Sequence, residues 1–227
     1  MQDKTVTVII PAFNEEKTVG DTVIAAFKIK GVVQVIVIDD GSADSTAAIA
    51  RKNGAAVLAL DRNRGKGNAF NVAANHVSGE VVLLLDADLG ESAAEADRLL
   101  IPLMEGSADI TVAVFPRISK KAGFGLVKRL AGAGIRRHTG LNMEAPLSGQ
   151  RAMCANLFFS FVPFAAGFGV EIDMSIKAGE KGCVIKEIPV SLRHRDTGRN
   201  ISGFLHRGRQ FCHVARVLAR HSRWCVK

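Results

Sequence analysis

Short, uninterrupted apolar runs alternate with segments of helical periodicity through the first half of this chain, and this alternation restricts the fold more than any other feature. The runs predicted to be strands are 6–10, 32–38, 55–60, 81–85 and 110–114. Because they are apolar at consecutive positions, both faces of each strand are expected to be covered. The segments predicted to be helices are 16–29, 45–53, 67–77 and 92–105. This order of elements predicts a single-domain α/β fold with a mainly parallel, Rossmann-like sheet flanked by helices.

The second half of the chain has a different pattern. Residues 116–150 are rich in Gly, Lys and Arg, and we predict a loop region there with one helix. Further helices are predicted over 151–161 and 170–180, and a strand over 183–192. From residue 201 onward the chain is basic and is predicted to be helical. The resulting three parts of the domain are 1–115, 116–200 and 201–227.

The composition is that of one folded domain. The chain has 227 residues, of which 48% are hydrophobic, and this is enough for a packed core. The N-terminal sequence lacks the pattern of a signal peptide, and no apolar run reaches the roughly 20 residues of a membrane span. The cysteines lack CxxC spacing, so free thiols in a reducing cytoplasm are expected rather than a zinc site. These cysteines are Cys154, Cys183, Cys212 and Cys225.

The charge is distributed unevenly between the two halves. Residues 1–100 carry 10 Lys and Arg against 14 Asp and Glu, a net charge of −4. Residues 101–227 carry 20 against 8, a net charge of +12. A basic half of this kind favours an anionic partner: nucleic acid, an anionic lipid or a phosphorylated small molecule.

Carboxylates follow the first two predicted strands at the point where each strand ends. The first strand leads into the sequence PAFNEE (11–16), and the second ends in DDGS (39–42). The carboxyl ends of parallel strands form the usual ligand-binding edge of such a sheet. Carboxylates placed there can accept hydrogen bonds from ribose hydroxyls or a base N–H, although Asp and Asn also serve simply as helix N-caps.

A glycine-rich turn, NRGKGNA (63–69), leads into the third predicted helix. Glycines allow the backbone to approach a ligand closely, and Lys66 can neutralise a phosphate. The turn lacks the GxxxxGK[ST] spacing of a P-loop.

The fourth strand ends in LLLDADL (83–89), which places Asp86 and Asp88 at its carboxyl end. Mg²⁺ and Mn²⁺ prefer oxygen ligands of this kind together with phosphate oxygens of a substrate. Such a cation would stabilise charge on a departing diphosphate.

In this order and spacing, the motifs PAFNEE, VIDDGSADST, GKGNA and LLLDADL resemble family 2-type glycosyltransferases of the GT-A fold. The resemblance covers about residues 5–100 and implies a metal-dependent hexosyltransferase with a nucleotide-sugar donor, in the first place a UDP-sugar. Asp86 and Asp88 would form the DxD pair, with Asp88 as a direct ligand of Mg²⁺ or Mn²⁺. The implied nucleotide-sugar-binding residues are Pro11, Ala12, Phe13, Asn14, Glu15, Asp39, Asp40, Gly41, Ser42, Lys66, Asp86 and Ala87. Residues 1–115 are called the donor half below.

The second half resembles glucosyl-3-phosphoglycerate synthases through PLSGQ (146–150), GFGVEID (167–173) and LRHR (192–195). Polyprenyl-phosphate glycosyltransferases share much of this layout. The resemblance implies Glu171 and Asp173 as catalytic residues and His194 as a second metal ligand. Because residues i and i+2 of a helix do not share a face, only one of the two acids is expected to point into the site. The implied acceptor-binding residues are Leu147, Ser148, Gly149, Gln150 and Arg195. Residues 116–200 are called the acceptor half below.

Two acceptor classes fit the basic half: a phosphoglycerate-like acid, and a polyprenyl phosphate at a membrane surface. The second class is suggested by the tail, residues 201–227, in which basic residues are interleaved with Phe, Leu, Val and Trp. Such a tail suits peripheral contact with an anionic membrane, and equally a helix that docks on its own domain. We expect a cytoplasmic enzyme, and a homodimer is left open.

Two other functions are less well supported by the motifs. A sugar nucleotidyltransferase is expected to carry a GxGTR-type loop after its first strand, where this chain has PAFNEE. A basic nucleic-acid-binding module is expected to have basic strand ends and exposed stacking aromatics. The strand ends here are acidic, Tyr is absent and there is one Trp, so no nucleic-acid partner is expected.

Overall fold

A seven-stranded sheet organises the part of the chain that the structure describes. The computed structural model describes residues 4–115, 125–165, 169–193, 217–219 and 221. The strands are β1 (Val6–Ala12), β2 (Val32–Asp39), β3 (Ala56–Ala59), β4 (Val81–Leu84), β5 (Ile110–Val114), β6 (Arg151–Cys154) and β7 (Ile185–Pro189). Their order is β3-β2-β1-β4-β6-β5-β7, with β6 antiparallel to both neighbours and every other pair parallel. The predicted mainly parallel α/β fold is therefore confirmed.

The helices flank this sheet. They are α1 (Val19–Phe27), α2 (Thr46–Lys52), α3 (Lys66–Ala73), α4 (Ile101–Met104), α5 (Gly125–Thr139), α6 (Ala155–Phe159) and α7 (Val170–Glu180). Segments of 3₁₀ helix span Ala74–His76 and Gly90–Leu99. The helix predicted over 92–105 is thus a 3₁₀ segment followed by the short α4. Pro102 lies at the start of α4 and has no N–H to donate to the preceding turn, so a continuous α-helix is not available there.

One predicted element is wrong in part. The helix expected over 151–161 begins only at Ala155, because residues 151–154 form β6. Arg151 pairs with Leu84 of β4 and with Val112 of β5, so the strand exists by virtue of partners distant in the chain. Its four residues are too few to show a period of two. The helix predicted for the tail falls mostly outside the described residues. The tail residues that are described, 217–219 and 221, are helical.

The core lies in layers on the two faces of the sheet. One layer packs α1 and the 90–99 segment against the sheet, and the other packs α3, α6 and α7 against the opposite face. In the second layer the rings of Phe70 and Phe164 meet edge to face at 5.5 Å, and Phe158 lies 4.9 Å from Phe164. A third, smaller cluster lies between α5 and α7 and includes Val217 of the tail. Within the described residues, no helix is long and apolar enough to cross a bilayer.

The register of the parallel strands determines where their polar ends lie. Ala12 at the end of β1 is level with Asp39 at the end of β2, and Ile9 of β1 is level with Leu84 at the end of β4. The loops that follow β1, β2 and β4 therefore leave the same edge of the sheet. This edge carries the sequence motifs of the donor half.

Candidate functional site

The loops after β1 and β2 bind each other through their polar side chains. The backbone N–H of Asn14 donates to Ser42 Oγ at 2.9 Å, and Asn14 Oδ1 accepts from the N–H of Ala43 at 2.9 Å. The N–H of Glu15 donates to Thr46 Oγ1 at 2.8 Å. Asn14 has the left-handed backbone conformation, with φ of 57°, which this residue type tolerates well. Phe13, which directly precedes Asn14, is 45% exposed, and its ring offers an apolar face at the edge of the sheet.

The two aspartates at the end of β2 are buried and accept backbone hydrogen bonds. Asp39 Oδ1 accepts from the N–H of Ser42 at 3.0 Å. Both oxygens of Asp40 accept from the loop before α3, Oδ1 from Arg64 at 2.8 Å and Oδ2 from Gly65 at 2.7 Å. Asp40 is 4% exposed, so its carboxylate acts chiefly as an anchor for the loop that carries Lys66.

Gly41 permits this close approach of two loops. Its φ is +78°, and a Cβ added there would lie 2.7 Å from the Arg62 backbone. An L-residue would meet both a backbone strain and a clash at this position.

Lys66 begins α3 and lies between two carboxylates. Its Nζ is 2.6 Å from Asp86 Oδ1 and 3.2 Å from Glu171 Oε1. Burial would lower the pKa of Lys66, but the charges of Asp86 and Glu171 outweigh it and raise the pKa above its ordinary value. The side chain is 22% exposed. Lys66 is therefore a permanently charged ammonium group that contacts both halves of the chain.

Asp86 and Asp88 follow β4 and are both partly exposed. Asp86 Oδ2 accepts a short hydrogen bond from Gln150 Nε2. Thr22 of α1 holds the turn 87–90 that carries Asp88: its hydroxyl donates to the carbonyl of Ala87 at 2.9 Å and accepts from the N–H of Gly90 at 2.9 Å. Partly exposed carboxylates on a fixed turn can still reach a ligand outside the protein.

The loop 146–150 lies directly against the Lys66–Asp86 pair. A Cβ added to Gly149 would overlap Lys66 Nζ and would lie 3.1 and 3.2 Å from the two oxygens of Asp86. Ser148 and Gln150 are buried, and the Ser148 hydroxyl lies 3.3 Å from Gln150 Oε1. Leu147 packs with the apolar cluster between α5 and α7. The backbone of the loop therefore comes close to Lys66 and Asp86 at Gly149, and the loop contributes the side-chain amide of Gln150.

The two acids of α7 point to different surroundings. Glu171 contacts Lys66, whereas Asp173 lies 2.9 Å from Lys177 Nζ and 2.9 Å from His221 Nε2 of the tail. Burial alone would raise the pKa of Asp173, but the hydrogen bond from His221 and the positive charge of Lys177 outweigh it, so the net pKa lies below its ordinary value. Asp173 is therefore engaged away from the Lys66–Asp86 pair, and of the two acids Glu171 alone contacts that pair.

The structure brings together five of the predicted site residues: Lys66, Asp86, Gly149, Gln150 and Glu171. His194 and Arg195, predicted as metal ligand and acceptor-binding residue, lie outside the described residues. Three residues with a part in this geometry were missed by sequence reasoning, namely Thr22, Arg151 and His221. Each is a single polar residue within an ordinary element or tail, and no motif marks it.

Comparison with known proteins places these residues in context. The family model described as "Glycosyl transferase family 2" matches residues 7–168. The chain is 31% identical to glycosyltransferase AglJ of Haloferax volcanii over 202 residues, which cover 85% of this chain and 64% of that protein. It is 36% identical to undecaprenyl-phosphate 4-deoxy-4-formamido-L-arabinose transferase of Serratia proteamaculans over 113 residues, covering 45% of this chain and 35% of that protein.

A third relative is known from both sequence and structure. Glucosyl-3-phosphoglycerate synthase of Mycobacterium tuberculosis is 32% identical over 198 residues, which cover 76% of this chain and 60% of that protein. Its crystal structure with Mn²⁺, UDP-glucose and phosphoglyceric acid has a TM-score of 0.79 at 26% identity, covering 96% of this chain and 79% of that chain. The sequence matches thus span less than two thirds of the length of AglJ and of this synthase.

Proposed function

Because the chain belongs to glycosyl transferase family 2, we propose that it transfers a hexose, in the first place glucose, from a UDP-sugar to an anionic acceptor with the help of Mg²⁺ or Mn²⁺. One observation carries the proposal. At the carboxyl end of β4, the Lys66–Asp86 pair of the donor half meets Gln150 and Glu171 of the acceptor half. Transfer of a sugar requires the donor diphosphate and the acceptor to lie next to each other, and a contact between the two halves can provide this.

The donor is proposed to lie along the ends of β1, β2 and β4. Phe13 supplies an exposed ring on which a base can stack. Asp39 supplies a carboxylate that can accept from a base N–H or a ribose hydroxyl. Lys66 supplies a fixed positive charge for the diphosphate. The choice of UDP is supported by the Mycobacterium tuberculosis synthase, whose crystal structure contains UDP-glucose.

The acids after β4 fit a hard divalent cation. Asp86 and Asp88 offer partly exposed carboxylate oxygens, the ligand type that Mg²⁺ and Mn²⁺ prefer. Among the described residues, no group of three His, Cys, Asp or Glu side chains could hold a metal ion. We propose that Asp88 would hold the cation directly and that His194 would be a second protein ligand. When bound, the cation would stabilise the negative charge of the departing diphosphate.

The acceptor is proposed to bind between loop 146–150 and α7. Gln150 fixes Asp86, and Gly149 allows the loop to approach the donor side closely. Glu171 is placed to accept a hydrogen bond from a sugar or acceptor hydroxyl while it contacts Lys66. The exposed basic residues of α5 add positive charge next to α7. They are Lys128, Arg129, Arg136 and Arg137.

The favoured acceptor is a small phosphorylated acid of the phosphoglycerate type. Its support is the net charge of +12 over residues 101–227, together with the similarity to a synthase whose crystal structure contains phosphoglyceric acid. The second candidate is a polyprenyl phosphate. Its support is the similarity to the undecaprenyl-phosphate transferase, which is confined to 113 residues.

A donor screen with two acceptors tests the proposal. Thermal unfolding would be measured with UDP-sugars and GDP-sugars, each with and without Mn²⁺, because a ligand that binds the native state raises the apparent stability. UDP release would then be measured with phosphoglyceric acid, with undecaprenyl phosphate in vesicles, and with glycerol as an uncharged control. Metal-dependent stabilisation by a UDP-sugar and release that requires an anionic acceptor are expected. Equal release with glycerol would contradict the anionic acceptor, and stabilisation by GDP-sugars alone would contradict the donor.

A further inference from the structure

A buried arginine lies behind the acceptor side of the site. Arg151, at the start of β6, is fully buried, and among the described residues it is the largest side chain that is fully buried. Its guanidinium donates three hydrogen bonds: Nε to the carbonyl of Ser148 at 2.9 Å, Nη2 to the carbonyl of Pro146 at 3.2 Å, and Nη1 to Ser175 Oγ at 2.9 Å. Two of the three therefore end on the loop 146–150 and the third on α7.

The contacts of Arg151 continue to the residues that meet the donor half. Ser175 Oγ donates in turn to the carbonyl of Glu171 at 2.8 Å, within the first turns of α7. The loop that Arg151 binds carries Gly149 and Gln150, which contact the Lys66–Asp86 pair. A single side chain thus connects both acceptor-side segments that reach Lys66 and Asp86.

The burial of this charge has a cost in free energy, because a guanidinium loses its hydration when it leaves water. Hydrogen bonds from its N–H groups to protein acceptors offset that cost. Burial lowers the pKa of Arg151 to about 10, against an opposing effect of Glu171 and Glu187. The group therefore remains charged at neutral pH. Its planar fork can serve several acceptors at once, which an apolar side chain of the same volume cannot do.

We propose that Arg151 is a positioning residue that fixes loop 146–150 and the start of α7 relative to each other, so that Gln150 and Glu171 reach Asp86 and Lys66 together. It acts through these residues and does not touch the substrates. The catalytic part of this inference rests on the proposed function, whereas the positioning part concerns the loop alone. Removing Arg151 should therefore loosen the acceptor side and leave the donor side intact.

Three measurements test this on Arg151→Met, with Arg151→Lys as the conservative variant: hydrogen exchange, kcat and the Kd for UDP. Hydrogen exchange should become at least about tenfold faster in a peptide covering 143–150 and should be unchanged in one covering 56–73, since local opening is confined to the loop that loses its partner.

The kinetic assay uses UDP-glucose, Mn²⁺ and phosphoglyceric acid, with the wild-type protein as the reference. In Arg151→Met, kcat should fall about 100-fold, because small misplacements of reacting groups have effects of this size. The Kd for UDP should stay within about twofold. Arg151→Lys, which keeps the charge and some donors, should recover part of the loss, and Arg51→Met on the exposed face of α2 should change nothing.

The outcomes separate the inference from the proposed function. Unchanged exchange in 143–150, or a loss of UDP affinity as large as the loss in kcat, would overturn the positioning role. If Arg151→Met does not fold, Ser175→Ala decides by the same measurements, since it removes one of the three links and should give a smaller change in the same direction. If the loop exchanges faster but the wild-type chain transfers no sugar from UDP-glucose, the positioning stands and the proposed function fails.

Discussion

The donor and acceptor halves are built in different ways at their junction. In the donor half, Asp39, Asp40 and Asn14 bond to loops of the same half, so the strand ends support one another. In the acceptor half, by contrast, polar side chains bind residues of the donor half. Gln150 donates a hydrogen bond to Asp86, 64 residues earlier, and Glu171 contacts Lys66. The donor edge is therefore complete in itself, whereas the acceptor side depends on how β6 and α7 pack against it.

At the junction, each of two paired groups has a charge opposite in sign to the net charge of the part of the chain that supplies it. Lys66 is a cation from residues 1–100, whose net charge is −4, and Glu171 is an acid from residues 101–227, whose net charge is +12. Because the two groups are only partly exposed, their attraction is screened less than that of a surface pair.

The largest effect is expected in the donor half, from Asp88→Ala. If Asp88 holds the cation, sugar transfer should fall at least about 100-fold, the size of effect seen when one electrostatic contact to a reacting group is lost. Mn²⁺ affinity, measured by calorimetry with UDP present, should fall as well, and the thermal midpoint should not. Asp61→Ala is the control, because Asp61 lies in the same half with a side chain that is 71% exposed. Near-normal turnover of Asp88→Ala at saturating Mn²⁺ would refute the assignment.

Gly149→Ala tests the point where the acceptor half touches the donor half. The added Cβ would displace Lys66 Nζ from its place beside Asp86, so transfer is expected to fall about tenfold to 100-fold through misplacement of charged groups. The matched control is Gly132→Ala in α5, where the nearest neighbour of the added Cβ is 4.0 Å away. That variant should be neutral or more stable by about 0.5–1 kcal/mol. Full activity of Gly149→Ala would show that the close approach has no part in transfer.

Asp40→Asn tests whether the donor edge supports itself. An amide keeps one acceptor but turns an N–H₂ group toward a backbone N–H, so the free energy of unfolding should fall by about 1–2 kcal/mol in urea titration. Asp61 is exposed in the loop that Asp40 binds, so Asp61→Asn should leave the free energy of unfolding unchanged within the error of the titration. Equal effects of the two substitutions would mean that the buried anchor contributes no more than a surface carboxylate.

The smallest effect is expected at the contact between the tail and α7. The hydrogen bond that His221 donates to Asp173 raises the pKa of His221, and partial burial opposes this effect. The charge of Glu180 raises the pKa further. Lys177 and the titratable ring of His138 also lie nearby. A raised pKa means that His221 stabilises the fold fully below its unfolded pKa of about 6.5 and that this contribution is lost as pH rises through the raised value.

His221→Gln should therefore lower the free energy of unfolding by about 1 kcal/mol at pH 6 and by less at pH 9. The measurement is chemical denaturation of both proteins at each pH. His76→Gln, at an exposed position of the donor half, serves as the control and should change stability by less than about 0.5 kcal/mol at either pH. A deficit that grows with pH would show that the ion pair with Asp173 does not hold the tail to the acceptor half.

Much of the donor half could be predicted from the sequence alone. All five apolar runs of residues 6–114 are strands of one sheet, and their bounds differ from the predicted ones by at most two residues. The reason is that a strand buried on both faces has to be apolar at consecutive positions, and this signal is local. The placement of acids at strand ends follows from the same pattern, since the carboxyl ends of parallel strands share one edge.

Only the tertiary structure decided how the acceptor half completes the site. Residues 151–154 form a strand because β4 and β5 flank them, and a local pattern of four residues cannot report partners that lie elsewhere in the chain. Arg151 is hydrophilic by type and yet fully buried, because three hydrogen-bond acceptors converge on it only after folding. The helix period limited Glu171 and Asp173 to different faces, but which face meets Lys66 depends on how α7 packs against the sheet. Local periodicity determined the elements and their polar ends, whereas contacts between distant residues determined which of those polar groups meet.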